Sequence, residues 1–171
     1  LAKLCTALYF AQATYASAAT QSPARTNADV VTRLSLVKVD DLDFGSLIVG
    51  PGGGSVIVSP GNVITITGAI TRVGATGGRA SFTGLGRRLQ LVQVSLPQSS
   101  ILLTRAGGTE TATVDTFRLG LDSTLLQIGS LYAIVSTTGI FNINVGATLR
   151  LANNQRPGIY TGTFSLIAVY Q

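Results

Sequence analysis

The feature that most constrains this chain is a two-residue alternation of apolar and polar side chains, interrupted by turn residues roughly every ten positions. From residue 28 onward, runs rich in Val, Ile, Thr, Phe and Tyr are separated by clusters of Gly, Pro, Asn and Asp. β-Branched and aromatic residues favour strands, and this spacing is typical of antiparallel sandwiches and barrels. The crossover helices that parallel sheets require are not evident. The sequence therefore predicts an all-β fold, either an antiparallel sandwich or a barrel.

Each predicted strand is bounded by turn residues. The strands occupy residues 28–39, 41–49, 55–59, 63–73, 79–86, 88–97, 100–106, 110–121, 131–137, 139–151 and 158–171. The glycine run at 50–54 is predicted to be a loop. In residues 88–97 the apolar alternation includes Leu89 and Leu91, with Val92, Val94 and Leu96 as the other phase. A helical period is found only at 4–19 and, weakly, at 121–135.

The composition is poor in charge. Only 11% of the residues are charged, against a usual value of roughly 25%, and Ser, Thr, Gly, Asn and Gln take their place. This balance is common in secreted, β-rich surface proteins, and it leaves little charge to keep copies of the chain apart. The net charge of +5 does not indicate nucleic-acid binding, because only Arg87 and Arg88 are adjacent and aromatic residues make up 6%.

The residue types also argue against an enzyme. The chain contains no His, which is the commonest general base and metal ligand. The glycine runs at 50–54 and 74–78 are not followed by the Lys-Ser/Thr pair and helix of a phosphate-binding loop. We therefore expect no catalytic residues and no cofactor.

The densest acidic cluster is formed by Asp40, Asp41 and Asp43. Carboxylates on a turn can bind calcium, but no spaced loop of acidic ligands follows them. The favoured interpretation is a polar turn in which Asp side chains bond their own backbone, and no metal site is expected.

Residues 1–20 resemble the end of a secretory signal, with a charged Lys3, an apolar stretch at 4–13 and small residues at 16–18. The stretch is too short to span a bilayer. The sequence is compatible with either cleavage or retention of this segment. We predict an N-terminal extension over residues 1–27 and a domain over residues 28–171. The single Cys5 cannot form an internal disulfide.

The last predicted strand, residues 158–171, has an apolar face and ends with the chain. Its other face consists of Ile159, Thr161, Thr163, Ser165, Ile167 and Val169. The predicted core face comprises Tyr160, Gly162, Phe164, Leu166, Ala168 and Tyr170. An ordinary sandwich strand accounts for the alternation, but it does not account for an ending without a polar tail.

This ending resembles the last strand of bacterial pilins assembled by the chaperone–usher route. Those pilins carry a glycine fourteen residues from the C-terminus and a penultimate aromatic residue, which here are Gly158 and Tyr170. Residues 41–47, "DLDFGSL", resemble the entry segment of archaic, spore-coat-like pilins. More closely, residues 37–50 and residues 156–171 together look like a related family of secreted bacterial domains of uncharacterised function. Many pilins have an internal disulfide that this chain cannot form.

The resemblance implies an immunoglobulin-like sandwich that lacks one strand and is completed by the N-terminal extension of another copy. The acceptor would be the groove beside residues 158–171. A periplasmic chaperone and an outer-membrane usher would act during assembly, and the product would be a head-to-tail homopolymer, a cell-surface fimbrium with a role in adhesion. No membrane span is expected in the mature protein.

The first-choice donor strand lies at the N-terminus, where the residues Leu4, Thr6, Leu8 and Phe10 share a face, opposite Cys5, Ala7, Tyr9 and Ala11. If residues 1–19 are cleaved, the donor shifts to 20–31, where Pro23 would sit awkwardly in a central strand. The alternative function is a secreted β-sandwich binding module or a fimbrial adhesin.

Overall fold

The alternation of apolar side chains puts one face of each strand inside the protein. A computed structural model describes residue 30 and residues 32–171, and in that part of the chain every element is a strand and every strand pairing is antiparallel. The predicted all-β fold is therefore confirmed. The strands are β1 (Ser35–Asp40), β2 (Ser46–Val58), β3 (Ile64–Val73), β4 (Ala80–Leu85), β5 (Leu91–Ser95), β6 (Ser100–Arg105), β7 (Thr111–Leu121), β8 (Leu125–Ile128), β9 (Leu131–Ile134), β10 (Ile140–Leu151), β11 (Tyr160–Thr161) and β12 (Ile167–Tyr170).

The strands form two sheets. The large sheet has the order β1-β4-β10-β7-β6-β11, and β2 joins it by pairing with β10 on one side and β3 on the other. The small sheet has the order β12-β5-β9-β8. Within residues 32–171, the first strand, β1, lies at one edge of the large sheet, and the last strand, β12, lies at one edge of the small sheet.

Two apolar clusters fill the interior. The first is built from the large sheet and the loop before β2, with Phe44, Val56, Val114 and Leu149 among its buried members. The second lies between the two sheets and includes Val92 and Val94 from β5, Leu125 from β8, Ile134 from β9 and Phe141 and Ile143 from β10. The packing of the small sheet over the large one makes this part of the fold a sandwich.

Strand β10 connects the two clusters. Its odd-numbered residues all point to the same face, and Phe141, Ile143 and Val145 are 0% exposed. Its first half pairs with β4 and its second half with β2, while β7 lies along the other side. Because it has neighbours on both sides over most of its length, from Ile143 to Arg150, β10 is the central strand of the large sheet.

The glycine run at 50–54 is not a loop, as the sequence predicted, but part of β2. The pairing of β2 with β3 shifts register between Val49 and Gly54, so the run forms a bulge. Gly53 has a φ of 65°, and a Cβ there would clash with the carbonyl oxygen of Leu151. Glycine is required at this position by both its backbone angle and the close approach of β10.

Three further predictions need correction. The weak helical period at 121–135 is the β8–β9 hairpin, because residues 125–128 pair with 131–134. In residues 88–97 the buried phase is Val92 and Val94, whereas Leu89 is 65% exposed with a φ of 64°. Among the described residues the first strand begins at Ser35, and residues 32–34, which were predicted to belong to it, are not in a strand.

Candidate strand-docking site

The chain after residue 158 does not form one strand but two, which belong to different sheets. Strand β11 pairs with β6 in the large sheet, and β12 pairs with β5 in the small sheet. Residues 162–166 carry the chain from one sheet to the other. This segment therefore connects the large sheet to the small sheet.

The predicted division of faces is observed in the burial of this segment. Tyr160, Phe164, Leu166, Ala168 and Tyr170 are half-buried, and only Gly162 of the predicted core face is exposed. On the opposite face, the exposed fractions are 73% for Ile159, 44% for Ile167 and 43% for Val169. None of the inward side chains is fully buried, unlike those of β10.

The start of this segment is held by polar contacts. Arg105 Nε donates to Glu110 Oε2 at 2.7 Å, and Arg156 Nη1 lies 3.4 Å from Glu110 Oε1. The hydrogen bond from Arg105 lowers the pKa of Glu110 to about 2. Tyr160 Oη donates to the carbonyl oxygen of Arg156 at 2.7 Å. These contacts join the β6–β7 hairpin to the turn before β11.

Gly158 lies against the same arginine. Its φ is 153°, and a Cβ at this position would lie 2.8 Å from both Cγ and Cδ of Arg105. A side chain would therefore push Arg105 out of its place beside Glu110. The glycine that the sequence comparison with pilins singled out has a local structural role at the start of the segment.

The middle of the segment is held by aromatic contacts. The ring of Phe164 lies 6.1 Å from that of Phe82 at an angle of 77°, and 5.4 Å from that of Phe117 at 39°. Phe82 packs on the second cluster and Phe117 on the first. Phe164 thus contacts both halves of the core where the chain changes sheets.

The end of the segment is held by one hydroxyl group. Tyr170 Oη donates to the carbonyl oxygen of Thr32 at 3.0 Å and accepts the N–H of Arg87 at 2.8 Å. Thr32 lies just before β1, and Arg87 lies in the turn after β4. The tyrosine therefore links the edge of the small sheet to the edge of the large sheet.

The outer edge of β12 has free backbone groups. Gln171 N–H donates to Leu91 O at 3.1 Å, and the register continues from Tyr170 opposite Val92 to Ile167 opposite Ser95. Because the backbone groups of alternate residues point to the same side of a strand, those of Ala168 and Tyr170 point away from β5. No strand in the described part of the chain pairs with that side.

The other border of this open side is β1, which among the described strands pairs with β4 alone. Its inward residue Leu36, and Leu34 just before it, are half-buried and pack on the second cluster, as do Leu166, Ala168 and Tyr170. We call these five residues the β1/β12 edge. It combines a free backbone edge with apolar side chains that are not fully covered, which are the two features that bind an added strand.

The other residues considered from the sequence are placed as follows. Asp43 Oδ1 accepts the N–H of Gly45 at 2.9 Å, and Lys38 pairs with Asp41, so the acidic cluster is a polar turn of the expected kind. Within the described residues, no three His, Cys, Asp or Glu side chains are placed to hold a metal ion. The donor residues Leu4, Thr6, Leu8 and Phe10 lie outside the described residues, and so does Cys5.

The membrane prediction concerned helices. Over the part of the chain that the structure describes, no helix has the length and apolar character needed to cross a membrane.

Sequence reasoning missed the contacts that fix both ends of the segment. Arg105 and Glu110 belong to the β6–β7 hairpin, and the partners of the Tyr170 hydroxyl are 138 and 83 residues away in the chain. Both partners are backbone groups, which have no sequence signature. The Arg–Glu pair at a spacing of five across a glycine turn is the one signal that could have been found.

These observations define the class of the protein: an all-antiparallel β-sandwich domain whose last strand is an edge strand, paired on one side only within the described residues. The chain belongs to the family described as a domain of unknown function, DUF4402, whose model matches residues 34–170. No curated protein and no solved structure matches the chain.

Proposed function

We propose that this protein is the structural subunit of an extracellular filament, in which the β1/β12 edge of one copy binds a strand from the N-terminal extension of the next. The observation that carries the proposal is the one-sided pairing of β12, whose other edge meets no strand of the described residues. An exposed strand edge with apolar side chains is a template for pairing with another chain.

The energetics of such docking are favourable. A docked strand would form backbone hydrogen bonds with Ala168 and Tyr170 and would cover the half-buried side chains of the β1/β12 edge. Complete burial is worth about 1.5–3 kcal/mol for a large apolar side chain, and these side chains are already half-buried, so covering them gains about 3–6 kcal/mol before the cost of ordering the strand. The same surface, left uncovered, would favour nonspecific association. A periplasmic chaperone that covers the edge before assembly, and an usher that exchanges it, belong to this proposal.

The polymer follows from the geometry of the contact. The donor segment precedes the domain and the acceptor edge is on the domain, so the contact joins two different surfaces. A contact of this kind does not close on itself and generates a filament when it is repeated. The low charge of the chain, 11% of the residues, offers little repulsion between adjacent copies.

The acceptor side is tested by charge substitution on the two faces of β12. Ala168→Asp places a carboxylate on the inward face, and Val169→Asp places it on the face that is already 43% exposed. We expect Ala168→Asp to abolish filaments in negative-stain electron microscopy and Val169→Asp to leave them intact, with circular dichroism confirming that both variants are folded. Filaments formed equally by both variants would contradict the proposed acceptor.

The donor side is tested by truncation and by a second matched pair. Removal of residues 1–27 should abolish the filaments. Leu8→Asp should do the same, whereas Tyr9→Asp, on the other face of the predicted donor, should not. Loss of filaments with Tyr9→Asp alone would assign the donor to the opposite face. A full-length chain that stays monomeric with a cooperative melt would overturn the proposal and favour the alternative, a secreted binding module.

A further inference from the structure

A further open strand edge lies along β3, which belongs to the large sheet, whereas β12 belongs to the small sheet. Strand β3 pairs with β2 on one side, and no strand in the described ranges pairs with its other side. It has ten residues, whereas the other edge strands β1, β8, β11 and β12 have six or fewer. Proteins often keep edge strands short, which limits pairing with other copies, but β3 is not short.

Charge does not protect this edge either. Arg72 is the one charged residue of β3, and its Nε and Nη2 both donate to the carbonyl oxygen of Thr76, at 3.2 Å and 2.5 Å. Its guanidinium is therefore turned back onto the following loop. By contrast, β1 ends in Asp40 and carries Lys38, which pairs with Asp41 at 2.5 Å. A second copy approaching β3 would meet no repelling row of charges.

The side chains of β3 suit a continued sheet. Ile64, Ile66 and Ile70 face the first cluster, and Thr65 and Thr71 are exposed on the other face. β-Branched residues of this kind are the most favourable in strands. The two ends of the strand also carry exposed apolar residues, with exposed fractions of 63% for Val63, just before β3, and 48% for Val73, its last residue.

The strand is also self-complementary. Gly68, with a φ of 81°, divides β3 into two arms of four residues, 64–67 and 69–72, followed by Val73. If two copies of β3 run antiparallel with Gly68 on the two-fold axis, Thr65 lies opposite Thr71 and Ile66 opposite Ile70. Both kinds of cross-strand pair are stabilising, and Arg72 lies opposite Ile64 rather than opposite another arginine.

We propose that β3 is a lateral self-association edge, at which two copies of this chain pair β3 with β3 in that register. The contact is isologous and closes as a pair, so by itself it cannot extend a filament. It goes beyond the proposed function: strand docking at the β1/β12 edge joins copies head to tail, whereas β3 joins them side by side.

The first test uses the double variant T65K/T71K of the full chain, which places lysines directly opposite each other in the proposed pair. The control is S100K/T104K, which changes two exposed hydroxyl residues on β6, a strand that pairs with β7 along most of its length and with β11 at Thr104 and Arg105. In sedimentation equilibrium, we expect T65K/T71K to raise the dissociation constant of the side-by-side pair about tenfold or more, and the control to leave it unchanged. Equal dissociation constants for T65K/T71K and the unmodified chain would overturn the proposal.

The second test is cross-linking, which does not depend on the tolerance of the fold for lysine. On a Cys5→Ser background, T65C/T71C should give a covalent dimer under mild oxidation, and S100C/T104C should not. Failure of T65C/T71C to cross-link above the control would overturn the proposed register and pairing. The two proposals fail separately, because Ala168→Asp should remove filaments and keep the β3 dimer, while T65K/T71K should keep filaments and remove their lateral pairing.

Discussion

Strands β10 and β12 both turn one face inward but reach different degrees of burial. β10 largely alternates apolar and polar side chains, whereas the four residues of β12, Ile167–Tyr170, are all apolar. In β10 the inward side chains of Phe141, Ile143 and Val145 are 0% exposed, whereas in β12 those of Ala168 and Tyr170 are only half-buried. The difference follows the number of neighbours, since β10 has strands on both sides and β12 on one. Alternation decides which way a side chain points, and sheet order decides how deeply it is buried.

The largest effect is expected in β10. Ile143→Ala removes a side chain that is 0% exposed and should lower the free energy of unfolding by about 3–4 kcal/mol, because it leaves a cavity in the second cluster. The measurement is chemical denaturation. Ile140→Ala, on the same strand with 45% exposure, is the control and should cost under about 1 kcal/mol. Equal losses would mean that burial does not distinguish the two faces of β10.

The corresponding change in β12 should cost less. Leu166→Ala removes a half-buried side chain just before the strand, and we expect a loss of about 1–2 kcal/mol in the monomer. Ile167→Ala, at 44% exposure on the other face, serves as the control. A loss as large as that of Ile143→Ala would contradict the contrast between the central strand and the edge. If a strand docks here, the cost of Leu166→Ala should be greater in the filament than in the monomer.

A smaller effect is expected from the hydroxyl group that links the two sheet edges. Tyr170→Phe removes the hydrogen bonds to Thr32 O and Arg87 N–H and should lower the free energy of unfolding by about 1 kcal/mol. Hydrogen exchange should show faster exchange at Arg87 N–H. Tyr132→Phe, on β9 in the same cluster, is the matched change and should leave exchange at Arg87 as it is. If exchange at Arg87 N–H is unaltered in Tyr170→Phe, the proposed link between the two sheet edges is contradicted.

The smallest effect is expected from the half-buried ion pair between Arg105 and Glu110 at the start of the segment. The pKa of Glu110 is lowered to about 2 by the hydrogen bond from Arg105, from a usual value of 4.5. The carboxylate therefore stabilises the folded state above pH 4.5, and that contribution is lost as the pH falls from 4.5 towards 2. Glu110→Gln should flatten this part of the stability–pH curve, measured by thermal melts. Asp41→Asn controls for the loss of one negative charge, and a curve unchanged by Glu110→Gln would mean that the pair does not contribute.

Most of the fold could be predicted from local sequence patterns, and the predictions that were wrong have physical causes. The turn at Asp43, the strands from β3 to β7 and the face carrying Phe164, Leu166 and Ala168 all follow from the alternation and the turn residues. The glycine run became a bulge because β10 supplies a close neighbour that local sequence does not reveal. Residues 121–135 contain a hairpin rather than a helix, because the strand pairing of β8 with β9 and of β9 with β5 outweighs a weak helical period.

The candidate site was predictable only in part. The residues of its inward face could be named from the alternation, but their division between β11 and β12 could not, because it depends on the positions of β6 and β5. The contacts of Tyr170 with Thr32 and Arg87 could not be named either, since they join backbone groups far apart in the chain.

The sequence alone determined the class of the fold, the turns and the direction of most side chains, because these depend on neighbours within a few residues. The tertiary structure decided which strands are central and which are edges, and that β12 and β3 each have an open side within the described residues. The physical reason is that strand order is set by contacts between residues tens of positions apart or more, such as those of β10 with β2, for which a period of two contains no information.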